Sequence, residues 1–223
     1  MMINIAIDGP AGAGKSTIAK RVAAEKSYIY VDTGAMYRAM ALYLFRLGVD
    51  PDDSAAISRN CVGADITIEY RDGVQVVLLD GENVNDFLRT PEVSDMASRT
   101  SVNGDVRNKL MELQQELARR QNVVMDGRDI GTVVLPNAQV KIFLTASVAV
   151  RAKRRFLELM EKIGTANLEE IKTQIRERDH RDMTRPIAPL KQADDAVLVD
   201  TSDMTIDEVV DKILSIIDEK IGG

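Results

Sequence analysis

Short apolar runs alternate along this chain with longer stretches in which apolar residues recur at helical spacing. The runs at 3–7, 28–31, 123–125, 140–144 and 196–199 predict five buried strands. Between the second and third of these, Met36, Met40, Leu44 and Leu47 share one helix face, and the helix is predicted to stop at Gly48. Strands that alternate with helices predict a parallel α/β sheet with helices on both faces. Ligands are then expected at the carboxyl ends of the strands.

This alternation is interrupted between residues 61 and 93. Ile66, Ile68 and Tyr70 alternate with polar residues, Asp72-Gly73 is a hairpin turn signal, and residues 74–79 form a second β run. Residues 80–85 add a further turn and a third short strand. The pattern predicts a small antiparallel β subdomain over 61–93, inserted into a core made of residues 1–60, 94–150 and 186–223.

Three further helical regions are predicted. Residues 91–121 form a helical stretch that returns to the core, and residues 147–182 are mostly helical and dense in arginine. The last helix opens with a capping box at Thr205. Its predicted buried stripe consists of Ile206, Val209, Val210, Ile213, Leu214 and Ile217.

One glycine-rich segment follows the first strand and precedes the first helix. It is Gly9-Pro10-Ala11-Gly12-Ala13-Gly14-Lys15-Ser16-Thr17, which matches the phosphate-binding pattern G-x-x-x-x-G-K-[ST]. The loop N–H groups and the helix N-terminus are expected to face phosphate oxygens, and Lys15 to approach the β- and γ-phosphates. Ser16 is expected to bind Mg²⁺. The fold class is therefore a P-loop NTPase-like five-stranded sheet, with ATP and Mg²⁺ as cofactors.

Other charged residues gather after the predicted strands. Asp126 follows three apolar residues and is predicted to hold Mg²⁺, although a turn aspartate that caps the next segment would look the same. Arg128 and Arg38 each lie just beyond a strand, where two guanidinium groups suit a small phosphorylated acceptor. A surface ion pair is the alternative for either arginine.

The arginines between residues 151 and 185 predict a lid. Arg151, Arg154 and Arg155 begin the segment, and Arg178, Asp182 and Arg185 fall at i, i+4 and i+7 on one predicted helix face. A lid would add positive charge to the migrating phosphoryl group and exclude water. The alternative is a solvated charged helix, because acids are interleaved with the arginines.

Composition narrows the choice of function. The chain has 223 residues and a formal charge of −6, which argues against a general nucleic-acid binder. The single cysteine, Cys61, is expected to be a small half-buried hydrophobe, and the single histidine, His180, to lie in solvent. Without an apolar run of about 18 residues or a signal peptide pattern, we expect no membrane association and a cytoplasmic monomer.

Four segments occur in the order found in bacterial cytidylate kinases, which this chain therefore resembles along its whole length. They are the glycine-rich loop, Asp32-Thr33-Gly34-Ala35-Met36-Tyr37-Arg38, Asp126-Gly127-Arg128-Asp129-Ile130-Gly131-Thr132, and Arg178-Asp179-His180-Arg181-Asp182 with Arg185. The resemblance implies transfer of the ATP γ-phosphoryl group to CMP or dCMP.

The resemblance also implies a role for individual residues. Arg38 and Arg128 would hold the acceptor phosphate, while Ser98, Arg107 and Asp129 would contact the cytosine. Thr33, Arg178 and Asp182 would contact the sugar, and Arg185 would lie at the acceptor side of the lid with Tyr37 beside it. Lys15, Arg128, Arg178 and Arg185 are the expected catalytic residues, and Arg154 is expected on the ATP side.

Two alternatives remain open from the sequence. One is a P-loop kinase of the same build that acts on UMP, AMP or shikimate. The other, from a different class, is a nucleotide-dependent switch that hydrolyses ATP slowly and needs no small acceptor.

Overall fold

The structure is a computed structural model that describes residues 2–71 and 73–222. It has two compact units: Met1–Tyr28 together with Asn122–Gly223, and Ile29–Gln121. The strands are β1 (Asn4–Asp8), β2 (Ile29–Asp32), β3 (Ile66–Arg71), β4 (Val74–Leu79), β5 (Glu82–Asn83), β6 (Val123–Gly127), β7 (Val140–Thr145) and β8 (Val197–Asp200). The helices are α1 (Lys15–Lys26), α2 (Thr33–Arg46), α3 (Ser54–Cys61), α4 (Pro91–Thr100), α5 (Gly104–Arg120), α6 (Val148–Ile163), α7 (Leu168–Thr184) and α8 (Ile206–Ile221).

The five predicted core strands are all present. Four of them lie in the first unit, in the sheet order β6-β1-β7-β8, and β2 belongs to the second unit. In the first unit β1 pairs in parallel with both β6 and β7, and β7 pairs in parallel with β8. Ile5 lies opposite Val124 on one side and Val140 on the other. Because β1 has a partner on both edges, Ile5, Ala6 and Ile7 are completely buried. The first residue of the loop that follows β1 is therefore held in place by the sheet.

The first unit shows one element that the sequence did not predict. A single π-helical turn, Ile130–Val134, follows β6 and is closed by the N–H of Leu135, which donates to the Ile130 carbonyl at 2.7 Å. Helix α8 begins after its predicted capping box, in which Thr205 and Glu208 bond reciprocally. The buried residues of its predicted stripe are Val209, Val210, Ile213 and Ile217. The prediction was wrong for Ile206, which is the first residue of the helix and about half exposed, and Leu214 is only half-buried.

The second unit contains the inserted β sheet, a three-stranded antiparallel sheet of order β3-β4-β5. Gly73 has a φ of 76°, as a tight hairpin requires, whereas Asp72 lies outside the described residues. The limits 61–93 stay a prediction. Helix α2 ends at Arg46, so the prediction that Leu47 lies on its buried face was wrong, and Leu47 is exposed.

The predicted helix over residues 91–121 is in fact two helices. The helical conformation is interrupted at residues 101–103. There the Asn103 side chain accepts hydrogen bonds from the N–H groups of Asp105 and Val106 and so caps α5. His180 is exposed, as predicted, whereas Cys61 was expected to be half-buried and is completely buried. Among the helices described, none is long and apolar enough to cross a membrane.

Candidate active site

The glycine-rich loop joins β1 to α1 and needs glycine at both ends. At Gly9 the φ is +148°, and an added Cβ would lie 1.9 Å from the carbonyl oxygen of Leu144. At Gly14, which caps α1, the φ is +89°. An L side chain at either position would be strained or would clash. Helix α1 then begins at Lys15, so its first N–H groups face the loop.

Lys15 is buried beneath this loop. Its Nζ donates to the carbonyl of Pro10 at 2.8 Å. Burial, together with the nearby Arg128 guanidinium, lowers the pKa of Lys15 to about 7, although the carboxylates of Asp126 and Asp8 act in the opposite direction. An anion in the loop would favour the charged ammonium, so the site is suited to take up negative charge.

The next residue provides a candidate metal site. The hydroxyl of Ser16 donates to Oδ2 of Asp126 at 3.0 Å, and Asp126 lies on β6, directly beside β1 in the sheet. A serine hydroxyl and a carboxylate are hard oxygen donors, which Mg²⁺ prefers. The two residues predicted as metal ligands are therefore brought together.

Asp8, at the end of β1, organises the segment after β6. Its carboxylate accepts hydrogen bonds from the N–H groups of Ile130 at 2.8 Å and Gly131 at 2.7 Å. Burial raises the pKa of Asp8 to about 6, against the effect of these two hydrogen bonds. A Cβ at Gly131 would lie 3.4 Å from Oδ2 of Asp8 and 3.1 Å from Cδ of Lys141. The tighter of these two contacts is the one with the Lys141 side chain.

Two ion pairs link the residues after β6 to the end of α7. Arg128 Nε donates to Asp182 Oδ2 at 2.9 Å, and Arg185 Nη2 donates to Asp129 Oδ1 at 3.2 Å. Burial alone would raise the pKa of Asp182, but Arg128, Arg178 and Arg185 together hold it below its usual value. Four predicted acceptor-side residues of the first unit thus form one network, to which Arg178 contributes charge.

The prediction that Arg185 lies on the same helix face as Arg178 and Asp182 was wrong in detail. Helix α7 ends at Thr184, and Arg185 has an extended backbone. Its side chain is nevertheless fixed, because Nε donates to the Ala188 carbonyl at 2.7 Å.

Two arginines of α6 behave differently from each other. Arg151 is buried and donates to the carbonyls of Ala146 at 2.9 Å and Ala11 at 3.0 Å, and it also pairs with Asp179. Arg154 is exposed and donates to the carbonyl and hydroxyl of Thr201 at 2.8 and 3.2 Å. The structure thus connects Arg151, rather than Arg154, to the glycine-rich loop by a direct hydrogen bond.

In the second unit, the charged residues gather at the start of α2. Asp32 caps this helix by accepting from the Ala35 N–H at 2.8 Å, and Thr33 is buried at its first position. Arg38 Nη2 lies 3.4 Å from Asp32 Oδ2, and Arg89 Nη2 lies 3.9 Å from the same oxygen. Nε of Arg38 is buried and lacks a hydrogen-bond partner among the described residues.

A second group in this unit contains the residues predicted to contact a base. The Arg107 guanidinium carbon lies 5.6 Å from the centre of the Tyr37 ring, and its Nη1 donates to the Ser101 carbonyl at 3.2 Å. The Ser101 hydroxyl in turn donates to the Ser98 carbonyl at 3.1 Å. The contacts therefore connect three of the predicted residues: Arg107 contacts Tyr37 directly and is linked to Ser98 through Ser101.

Comparison with known sequences identifies the family. The model of the cytidylate kinase family matches residues 5–219. Proteins named cytidylate kinase from Caldicellulosiruptor bescii and Bacillus licheniformis are 51% and 52% identical to this chain. The first alignment covers 96% of this chain and 95% of the Caldicellulosiruptor protein. The second covers 97% of this chain and 96% of the Bacillus protein. The chain belongs to the cytidylate kinase family.

Solved structures place this cytidylate kinase family member in a broader fold group. A gluconokinase from Sinorhizobium meliloti and a shikimate kinase from Bacteroides thetaiotaomicron each superpose with a TM-score of 0.51, at 14% and 13% identity. The superpositions cover 97% of this chain and 92% of the gluconokinase, and 98% of this chain and 99% of the shikimate kinase. At such low identity the likeness concerns the fold alone, and it confirms the P-loop kinase architecture.

Three residues of this family member were missed as site residues or given another role. Asp8 is a carboxylate that ends an otherwise apolar strand just before Gly9, a pattern that could have identified it. Arg151 was recognised only as the start of the arginine-dense segment, although it is buried. Nothing in the local sequence distinguishes Arg89 from any other surface arginine.

Proposed function

We propose that the protein transfers the γ-phosphoryl group of ATP to CMP or dCMP, giving ADP and CDP or dCDP. The observation that carries this proposal is the state of Arg38. Its Nε is buried without a hydrogen-bond partner in the described part of the chain, and its Nη2 makes long hydrogen bonds of 3.4 and 3.5 Å to the Asp32 oxygens, which orient the side chain. A half-buried guanidinium whose buried Nε donor is unused suits a phosphate outside the ATP loop. A hydrolase or a switch needs no such second phosphate ligand.

The ATP phosphates bind the glycine-rich loop. Backbone N–H groups of the loop and of the first turn of α1 donate to the phosphate oxygens, and Lys15 turns from the Pro10 carbonyl to the β- and γ-phosphates. Arg154 is assigned to this side of the reaction as well, at the cost of its bonds to Thr201.

Ser16 and Asp126 hold Mg²⁺, which when bound supplies positive charge for the β- and γ-phosphate oxygens. Support comes from their separation of 3.0 Å and from the chemistry of the pair, since both groups offer oxygen ligands. Asp126 is also suited to keep the Ser16 hydroxyl oriented, because it accepts a hydrogen bond from that hydroxyl.

On the acceptor side, Arg38 and Arg128 donate to the CMP phosphate. In the first unit, Asp129 accepts a hydrogen bond from the cytosine amino group, and Arg178 and Asp182 form hydrogen bonds with the sugar. In the second unit, Ser98 and Arg107 donate to the ring, while Thr33 bonds to the sugar beside Tyr37. The identities of these groups fit cytidine, which offers an amino donor and two ring acceptors.

The ion pairs at the end of α7 have a role during transfer. Arg128 and Arg185 are held by Asp182 and Asp129 in the structure, so their charge is in place before phosphate arrives. Preorganised charge of this kind stabilises the charge that develops on the phosphoryl group. We assign residues 151–185 as a lid that excludes water during this step.

The decisive experiment measures ATP consumption by the purified protein with and without CMP, together with CDP formation. We expect ADP and CDP to appear in equal amounts and ATP to be stable without an acceptor. ATP hydrolysis at the same rate in both conditions would indicate a switch instead. Parallel assays with dCMP, UMP, AMP and shikimate identify the acceptor if it is not CMP.

A further inference from the structure

The inserted β sheet docks onto strand β2 through side chains instead of through a paired strand. Tyr70 and Gln75 lie directly opposite each other in the β3–β4 hairpin. The Tyr70 hydroxyl donates to the carbonyl of Tyr30 at 3.0 Å. The Gln75 carboxamide accepts from the Asp32 N–H at 2.8 Å and donates to the Asp32 carbonyl at 3.3 Å.

These contacts satisfy backbone groups along one side of the strand. Residues 30 and 32 are two apart, so their N–H and C=O groups point to the same edge of β2. The carboxamide of Gln75 has the same donor and acceptor groups as a peptide bond, and it binds both polar groups of one residue, as a neighbouring parallel strand would. Both Gln75 and Asp32 are buried. Gln75 thus occupies the position of an absent strand at the end of β2.

The end of β2 is also the start of the proposed phosphate site. The residue whose backbone Gln75 binds, Asp32, caps α2 through the Ala35 N–H and lies next to the Arg38 guanidinium. A shift of the Asp32 backbone would move the carboxylate that orients Arg38. The backbone of Gln75 is itself fixed by Asn85. The Asn85 side chain donates to the backbone carbonyl of Gln75 at 3.0 Å and accepts from the Val77 N–H at 3.0 Å.

We propose that the inserted sheet acts on the reaction through Gln75, a positioning residue that fixes Asp32 and thereby aims Arg38 at the acceptor phosphate. This proposal rests on the function proposed above. It assigns the inserted sheet a role in positioning the acceptor phosphate. It also predicts different roles for Gln75 and Tyr70, because the hydrogen bond of Tyr70 to the same strand lies two residues before the helix cap.

The test compares Gln75→Met with Tyr70→Phe. Methionine keeps the length and most of the volume of glutamine but has no carboxamide, whereas Tyr70→Phe removes one hydrogen bond between the same hairpin and the same strand. We expect Gln75→Met to raise the KM for CMP about tenfold and to leave the KM for ATP within about twofold. Tyr70→Phe should change both KM values by less than about twofold. The melting temperature of each variant is measured alongside.

The outcomes separate the proposal from a structural role and from failure of the proposed function. A CMP KM that changes by less than twofold in Gln75→Met, equal increases for CMP and ATP, or an equal effect of Tyr70→Phe would each overturn the role of Gln75. KM does not depend on the fraction of folded enzyme, so partial unfolding does not mimic the expected result. If Gln75→Met does not fold, Gln75→Glu keeps the acceptor for the Asp32 N–H and loses the donor, and its CMP KM should rise at least threefold. A wild-type protein that does not phosphorylate CMP would refute the proposed function before any variant is made.

Discussion

Arg151 and Asp179 form a two-point ion pair that reaches the glycine-rich loop. Nη1 and Nη2 of Arg151 donate to the two oxygens of Asp179 at 2.9 and 2.6 Å, and Nη1 also donates to the Ala11 carbonyl at 3.0 Å. The arginine side chain is 4% exposed and the aspartate side chain 13% exposed. Both ends of the arginine-dense segment are thus connected to the glycine-rich loop.

Asp179→Asn should destabilise the fold strongly. It removes the charge that compensates a buried guanidinium, and breaking such a pair costs about 3–5 kcal/mol. The matched control is Glu158→Gln, which breaks the exposed pairs with Arg155 and Lys162 within α6 and should cost less than about 1 kcal/mol. Urea unfolding gives both values. Equal costs for the two variants would mean that the buried pair contributes no more than a surface pair.

Lys15→Ala should abolish most activity without loss of the fold. One preorganised charged donor contributes about 10²–10³-fold to kcat. The fold should tolerate the change, because burial already disfavours the charged form of Lys15. Lys20→Ala, an exposed position on the same helix, is the control and should stay within twofold of the wild-type kcat. A loss of less than about tenfold at Lys15 would contradict the assigned role.

ATP binding should take up a proton at pH 8. With a pKa of about 7, Lys15 is mostly neutral at that pH in the free protein, and phosphates favour its charged form. At pH 6 the lysine is already charged, so the uptake should fall towards zero. Calorimetry with a non-hydrolysable ATP analogue, in buffers of different ionisation enthalpy, measures the proton count. Lys15→Arg stays charged at both pH values and should show no uptake at pH 8, and proton release by the wild type would refute the prediction.

Asp129→Asn should narrow the difference between CMP and UMP. Uracil has a carbonyl oxygen where cytosine has its amino group, so a carboxylate opposite uracil leaves two acceptors unpaired, at a cost of about 1–3 kcal/mol. The wild type should prefer CMP by about tenfold to a hundredfold in kcat/KM. The side-chain amide of asparagine can rotate to donate to uracil. The variant should therefore have a lower kcat/KM for CMP and a smaller ratio of kcat/KM for CMP to that for UMP.

Asp129 also accepts from Arg185, and the variant can act through that pair. Arg185→Lys is the control, because it perturbs the ion pair and leaves the carboxylate in place. If Asp129→Asn slows CMP and UMP by the same factor, Asp129 supports Arg185 and does not contact the base. The discrimination must then come from Ser98 and Arg107.

Local sequence determined the elements of this protein and the chemistry of its glycine-rich loop. Five apolar runs each became a core strand, because the strands of a parallel sheet that is covered by helices on both faces carry apolar residues on both faces. Glycine at 9 and 14 follows from positive φ at both positions, and a motif can express such a requirement because it concerns a single residue. The pairing of Ser16 with Asp126 was also predictable, since the ends of parallel strands meet at one edge of a sheet.

Only the tertiary structure decided the partners of the charged side chains. Arg151 and Arg154 look alike in the sequence, yet one is buried against Ala11 and Asp179 and the other is exposed beside Thr201. Likewise, nothing near Gln75 indicates that its carboxamide binds the backbone of Asp32, 43 residues away. Such contacts depend on how distant elements pack, and burial then sets how strongly a pair of charges interacts and how far the pKa of Lys15 or Asp8 shifts.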